Sequence, residues 1–320
     1  MAPRISVAIA NLNGGRFLAP CLQALQAQTR QADEIVVVDS ASTDSTQDVL
    51  AKSFPDVRLV QLGRRPGIAA AFNACIQHTA GDALALLNND TETAPGWLAA
   101  LENEMVAQPL AGFFASKVVF MRDRITINAA GDFYMPDGRP GNRGVWEQDH
   151  GQYDQPEWVF GAMAAAALYR RAALVDVGPF DEGLGSYCED VDWAFRAQLR
   201  GWRCRYVPGA VVYHHGSATG GGVLASYSCG RNFPLVFVKN MPPALFRRYF
   251  GSLLLRQARD AAEALPHLRE PAARARLRGQ AAAMRAFPAY LQQRRHVQRT
   301  RRVSSASIAQ LLGPGRGMRG

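Results

Sequence analysis

The 320-residue chain has five cysteines, Cys21, Cys75, Cys188, Cys204 and Cys229, scattered with no CxxC pair. That spacing excludes a disulfide framework, argues against a thiolate zinc site and fits reduced thiols. Long apolar runs are missing too. No stretch reaches the roughly 18 uncharged apolar residues of a membrane span, and the opening run "ISVAIA" is broken by Asn11, too short for the apolar region of a secretory leader. A cytoplasmic protein is expected. No GxGxxG follows the first apolar run, where "NLNGG" stands instead, which argues against a dinucleotide-dependent oxidoreductase. Internal repeats are absent, and at 48% hydrophobic residues the chain can bury a sizeable core.

Lysine is missing from one whole region. From residue 241 onward sixteen arginines and no lysine face three acids, Asp260, Glu263 and Glu270, so this segment carries +13 and the remainder −4 of the overall +9. The chain divides into a mildly acidic body, 1–240, with halves at about 1–110 and 111–240, and a basic helical extension, 241–320.

Within the body, apolar runs alternate with helical periodicity. "ISVAIA" (5–10), "EIVVVD" (34–39), "VRLVQL" (57–62) and "ALALLNND" (83–90) read as strands. Between them "FLAPCLQALQAQ", "TDSTQDVLAKSF" and "GIAAAFNACIQHTAG" read as helices, the last closed by Gly81. Continuous apolar strands separated by helices imply an α/β fold, a mostly parallel nucleotide-binding sheet covered on both faces. Ligands bind outside the carboxyl ends of such strands. Asp39 and Asp90 both fall there, and residues 121–157, rich in Gly, Pro, Asp and Asn, form a long loop or small hairpin region that shapes a substrate pocket.

Three constellations can carry chemistry. "LLNND" (86–90) offers a carboxylate flanked by amides, a donor set that suits a hard divalent cation; Asp90 could equally cap the following residues. "YCEDVDWAFR" (187–196) places Glu189, Asp190 and Asp192 at a helix start. One of them is a candidate general base, while the plain alternative is acid enrichment with Asp192 pairing Arg196 at i,i+4. In "YHHGSATGG" (213–221) the two adjacent imidazoles point opposite ways on a strand, so one at most serves a site.

Taken in order, the strand ending in Asp39 before "SASTDS", the "NND" strand end, "GPFDEGLGSYCEDVDWAFRAQLRGW" and "HHGSAT" resemble the family 2 glycosyltransferases, inverting enzymes of the GT-A fold, in particular the rhamnosyltransferase-like branch of bacterial surface-polysaccharide synthesis. The resemblance covers roughly residues 4–225. It implies transfer of a sugar from a nucleotide-diphosphate donor, dTDP-rhamnose or a UDP-sugar, to a saccharide or lipid-linked acceptor. By the same resemblance Asp39 binds base or ribose with Ala10 and Asn13 beside it. Asn88 and Asn89 flank the donor, and Asp90 matches the last position of the DxD motif that holds Mn²⁺ or Mg²⁺. Asp190, beside Glu189, matches the catalytic base, and His214 the later metal-site histidine, with His215 as runner-up. Gly161 and Ala162 match a small pair on the acceptor side, which Tyr187 and Trp193 wall. Asn88 in place of the first DxD carboxylate is a departure and leaves open an inactive nucleotide-sugar-binding or scaffold protein. Arg64 and Arg65 replace a plainer run; either, Arg65 in particular, could contact diphosphate directly, and both could equally be solvated loop charges.

In the extension, residues 244–265 put Leu245, Phe246, Tyr249, Phe250, Leu253 and Leu254 on one helical face among arginines. Such a helix could pack on the body or lie on the anionic inner face of a membrane. Nucleic acid is not expected, since no interleaved aromatic reading motif accompanies the arginines after residue 290.

Overall fold

The first run lacks the apolar/polar alternation of a half-exposed strand because it is covered on both faces: all of Ile5–Asn11 (β1) is buried, Ser6 and Asn11 included. The computed structural model describes residues 2–216 and 222–313. Beside β1 stand β2 (Glu34–Asp39), β3 (Arg58–Gln61), β4 (Ala83–Asn88), β5 (Thr91–Thr93), β6 (Ala111–Phe120), β7 (Ile127–Ala130), β8 (Asp132–Tyr134), β9 (Pro140–Asn142), β10 (Glu157–Val159), β11 (Ala166–Arg170) and β12 (Arg203–His214). The helices are α1 (Gly15–Gln26), α2 (Thr46–Ser53), α3 (Ile68–Gln77), α4 (Trp97–Ala107), α5 (Arg171–Val177), α6 (Glu189–Arg200), α7 (Gly222–Asn240), α8 (Pro243–Ala264), α9 (Pro271–Arg299) and α10 (Ser305–Ala309).

The main sheet runs β10-β12-β6-β11-β4-β1-β2-β3, with β5 on β12 and β7 on β6. Strands β3, β2, β1 and β4 are parallel, and β11 enters antiparallel between β4 and β6. The chain steps outward from β1 to β3, then returns to β4 on the other side of β1. This reversal of direction splays the connections apart and opens a crevice at the strand carboxyl ends. Register puts Asn11 beside Asp39 and Ala10 beside Asn88 there.

Each face of the sheet has its own apolar layer. Leu18, Leu22, Leu50, Trp97 and Leu101 cover one, and Phe72, Phe113, Trp193, Phe195 and Tyr206 the other. Helix α3 stops at Gln77, before Gly81, because the Thr79 hydroxyl bonds back to the Cys75 carbonyl at 2.7 Å while the Gly81 N–H turns to Ser6 Oγ. The 121–157 region is built from short pieces: β7 on β6, the β8–β9 hairpin, and β10 on β12.

The extension packs on the body. Helix α9 lies along α7 so closely that a Cβ on Gly279 would collide with the Tyr227 carbonyl. On α8, Leu245 and Leu253 are buried and Phe246, Tyr249 and Phe250 pack against the core, whereas Leu254 is exposed. The apolar face read for 244–265 is therefore narrower than expected and is covered by protein. Several arginines are also tied inward: Arg276 to Asp260 at 2.6 Å, Arg302 to Asp176 at 2.8 Å, and Arg294 to backbone carbonyls of Val238 and Met241. Among the described residues no helix is long and apolar enough to cross a membrane.

Candidate active site

At the ends of β1 and β2 a polar knot closes the first loops. Asn11 Nδ2 donates to Asp39 Oδ1 at 2.9 Å, and Asn11 Oδ1 accepts from Asn89 Nδ2 at 2.7 Å. Asp39 also accepts from the Ser42 N–H at 3.0 Å and from the Ser42 hydroxyl. Only 1% exposed, it organises the 40–46 loop from beneath. Asn13 sits on the rim in a left-handed conformation, φ 49°, its N–H donating to Ser42 Oγ and its Oδ1 accepting from the Thr43 N–H. The exposed Arg65 reaches over the same loop toward Ala41 O and Thr43 Oγ1, each 3.4 Å away. Ala10 is buried below. Asn89 points into this knot and away from the main cavity, because Gly14 lies against it so tightly that a Cβ there would overlap its amide.

The main cavity, about 490 Å³, opens beside the knot between the β4 end, the 128–146 hairpins and the start of α6. Asn88, Asp90 and His214 line one side. His214 Nδ1 lies 2.8 Å from Asn128 Oδ1; with the proton assigned to Nδ1, Nε2 turns its lone pair toward Asp90 Oδ1 at 3.3 Å. A carboxylate and an imidazole lone pair facing each other, with the ring oriented from behind, form a donor pair that fits a divalent cation. Among the described residues no third His, Cys, Asp or Glu joins them. Further ligands would come from a bound diphosphate or water, as Mg²⁺ commonly takes them. Asp90 caps no helix, since the strand β5 follows it. His215 is exposed, with its ring 4.8 Å from that of Phe17, so of the two histidines it is His214 that lines the cavity. The Ser217–Thr219 part of the motif lies outside the described residues.

Opposite stands the start of α6. Tyr187 and Cys188 both hold left-handed backbone, φ 68° and 69°. Such angles cost non-glycine residues about 1 kcal/mol or more each and persist only where the surroundings impose them. Asn232 on α7, fully buried, imposes them here: its amide donates to the carbonyls of Leu184, Ser186 and Tyr187 at 3.0, 3.2 and 2.7 Å. The turn swings Glu189 and Asp190 into the cavity. Asp190 is pinned by the Ala164 N–H on Oδ2 at 3.2 Å and by the Val191 N–H on Oδ1 at 2.8 Å. Burial pushes its carboxyl up, and those N–H groups offset part of the shift. Glu189 is raised well above the usual range by burial and then by the Asp190 charge, and its Oε2 has no hydrogen-bond partner among the described residues. Asp192 behaves oppositely. Burial works against its charge, but Lys239 and Arg196, with the Asn240 amide, outweigh burial and hold it down to about 2. The three acids thus divide: two face the cavity, and the third ties α6 to α7.

The sequence reading overlooked a fourth cavity carboxyl. Asp132 at the start of β8 is buried, accepts from Asn142 Nδ2 at 2.7 Å, and is pushed up to about 8 by burial and then by the Asp190 charge. Asn128, Asn142, Trp146 and Asn232 were also unmarked, having no motif around them. Trp193 requires correction: it is fully buried, donates Nε1–H to the Gly178 carbonyl and packs edge-on to Phe113 and Tyr169, so it is core and walls no acceptor. Gly161 and Ala162 are likewise displaced from the cavity. The Gly161 carbonyl accepts the Asp132 N–H, Ala162 is buried, and the small residues that reach the cavity are Ala164 and Ala165. Tyr187 does line it.

Comparison with known proteins agrees with this arrangement. The chain is 28% identical over 248 residues to the N-acetylglucosaminyl-diphospho-decaprenol L-rhamnosyltransferase of Mycobacterium tuberculosis, covering 71% of this chain and 81% of that one. Its fold is similar to the mannosyltransferase PcManGT of Pyrobaculum calidifontis, solved with GDP-Man and Mn²⁺, at TM-score 0.55 and 20% identity, over 97% of this chain and 87% of that one. It is also similar to GalNAc-T7, solved with UDP, GalNAc and Mn²⁺, at TM-score 0.60 and 17% identity, over 74% of this chain and 48% of that one. The profile described as Glycosyl transferase family 2 matches residues 6–178, more than half the chain. With its GT-A sheet and cavity, the chain belongs to glycosyl transferase family 2, and it is a glycosyltransferase.

Proposed function

We propose that this protein transfers a sugar, with inversion, from a nucleotide-diphosphate donor to a hydroxyl of a saccharide or lipid-linked acceptor in cell-surface polysaccharide synthesis. The M. tuberculosis relative, by name an L-rhamnosyltransferase, favours rhamnose as the sugar, carried as dTDP-rhamnose, with a UDP-sugar as the alternative. One observation carries the reading: Asp190, pinned by backbone N–H groups, shares a single cavity with the Asp90–His214 pair.

Asn13 and Arg65 at the rim receive the nucleotide, while Asp39 holds the loop beneath them. Asp90 and His214 would hold Mn²⁺ or Mg²⁺, which when bound supplies positive charge against the diphosphate. Asn88 adds a neutral amide where a second carboxylate would raise the negative charge beside the phosphates. Asp190 takes the proton of the attacking hydroxyl; its raised affinity for a proton brings it nearer to working pH than an exposed aspartate. Burial and then the Asp190 charge raise both Glu189 and Asp132, so the three carboxyls share one electrostatic environment around the acceptor hydroxyl.

Calorimetric titration with a panel of nucleotide-sugars, in Mn²⁺ and then in EDTA, tests the donor half. One donor is expected to bind only with metal, and Asp90→Ala to lose it. Asp190→Asn is expected to keep donor binding and lose about 10²- to 10⁴-fold in transfer. Near-normal turnover in that variant would remove Asp190 as the base; a fold-verified protein that binds no donor would favour the inactive scaffold.

A further inference from the structure

Trp146 is held in a conformation and a place that folding alone does not call for. Its backbone is left-handed, φ 71°, an outlier for a bulky residue, and the residue is 65% exposed although it lines the cavity. The turn that imposes this angle is closed by two bonds to β7, Trp146 N–H to Ile127 O at 3.0 Å and Ile127 N–H to Glu147 O at 2.8 Å. The ring is also fixed. It stacks on Phe120 with centroids 4.5 Å apart and planes 12° apart, and the Arg122 guanidinium lies 5.4 Å from its centroid and 5.0 Å from that of Phe120. Phe120 pairs in register with His214, so the platform adjoins the Asp90–His214 side of the cavity.

We propose that the open face of Trp146 is the stacking platform for a pyranose ring of the acceptor saccharide. This rests on the transferase reading above. A rigid aromatic face takes up the apolar C–H face of a sugar ring without ordering a flexible side chain. Beside it, with Pro140 and Gly141, the wall carries Asn128, Asn142 and Asp132, polar groups that suit the hydroxyl edge of the same ring. A lipid chain would cover the hydrogen-bonding capacity that Asn128 and Asn142 keep beyond their bonds to His214 and Asp132, at a cost in affinity. The nucleotide is expected at the Asn13–Arg65 rim. Trp146, in the connection between β9 and β10, belongs to the half of the cavity lined by residues 120–146, which leaves it to the acceptor.

The test uses the full chain with Mn²⁺ and measures binding of methyl β-D-N-acetylglucosaminide, methyl α-L-rhamnoside and geranyl phosphate by saturation-transfer NMR. Wild type, Trp146→Phe and Trp146→Asn are compared; asparagine tolerates the left-handed backbone, so the turn keeps its shape. At least one glycoside is expected to bind wild type and Trp146→Phe within about threefold, and Trp146→Asn at least tenfold more weakly, with melting temperatures unchanged. Glycoside binding indifferent to residue 146, no glycoside binding at all, or a dependence seen for geranyl phosphate alone would overturn the platform. UDP, GDP and dTDP titrations separate the two ideas: wild type binding none of them sinks the transferase reading, whereas nucleotide binding without the glycoside effect sinks the platform only.

Discussion

Asp190 and Asp192 lie two positions apart on one helix, yet replacing each with asparagine is expected to do opposite things. At Asp192 the carboxylate is fully buried and answers Lys239 Nζ at 2.9 Å, Arg196 Nε at 2.8 Å and Asn240 Nδ2 at 2.8 Å. Asp192→Asn removes the charge between the buried Lys239 and the largely covered Arg196. Breaking one side of a buried ion pair costs about 3–5 kcal/mol. Lys239 keeps a second partner in Asp181 at 2.6 Å, which places the loss near the lower end. For a chain of this size that corresponds to a fall in Tm on the order of 10 °C. At Asp190, neutralising a carboxyl that burial already disfavours as an anion relieves desolvation, while one of its two N–H donors loses an acceptor. The two effects offset, and Asp190→Asn is expected to melt within about 3 °C of wild type. Differential scanning calorimetry at pH 7.5, with transfer measured at 15 °C on the same samples, gives both readouts. Asp192→Asn is expected to be labile but active, Asp190→Asn stable but inactive. A stable Asp192→Asn would refute the division of the acids into two facing the cavity and one tying helices together.

The remaining expectations concern the cavity's supports. Asp132 binds its proton more tightly folded than unfolded, so its contribution to stability is complete below about pH 4 and is lost as pH rises through about 8. Melting curves from pH 5 to 9 should fall more steeply for wild type than for Asp132→Asn, with Glu189, shifted the same way, leaving a residual slope. Asn232→Ala leaves three carbonyls without their shared amide donor, a loss of about 1–3 kcal/mol, and should lower kcat roughly tenfold with nucleotide affinity unchanged. Unaltered kcat at 15 °C would show that the Tyr187–Cys188 turn keeps its shape unaided. On the other side of the cavity, Asn128→Ala frees His214 Nδ1 and should weaken Mn²⁺-dependent nucleotide binding by 10- to 100-fold, as loss of an orienting partner does at metal sites. Titration in Mn²⁺ and EDTA reads it directly.

What the sequence made legible follows from how local each cause is. Strands β1, β2 and β4 are covered on both faces, which their continuous apolar runs announce, and Asp39 and Asp90 are polar where those runs stop. Asp190 was legible through its neighbours in the motif, and Asp192 through its i,i+4 arginine. Asp132 was not, because its depth comes from a hairpin closed by the distant Gly161 carbonyl and the Asn142 amide. Trp193 misled for the converse reason: an aromatic beside two cavity acids on one helix looks like a wall, but a helix turns about 100° per residue, and three further positions from Asp190 its ring meets Phe113 and Tyr169. Helix α8 shows the same limit on a larger scale. Periodicity identified an apolar face but not its cover, which comes from Phe237 of α7 against Phe246, Arg294 of α9 over the same ring, and the β8–β9 turn at Gly138 beside Leu253. Asn232 carries this furthest: one amide on α7, in the chain's last third and unmarked by any motif, holds the turn that aims Glu189 and Asp190 at the cavity. The helices beyond residue 222 are therefore part of the site's construction, and a catalytic half cut from them would keep its acids and lose their aim.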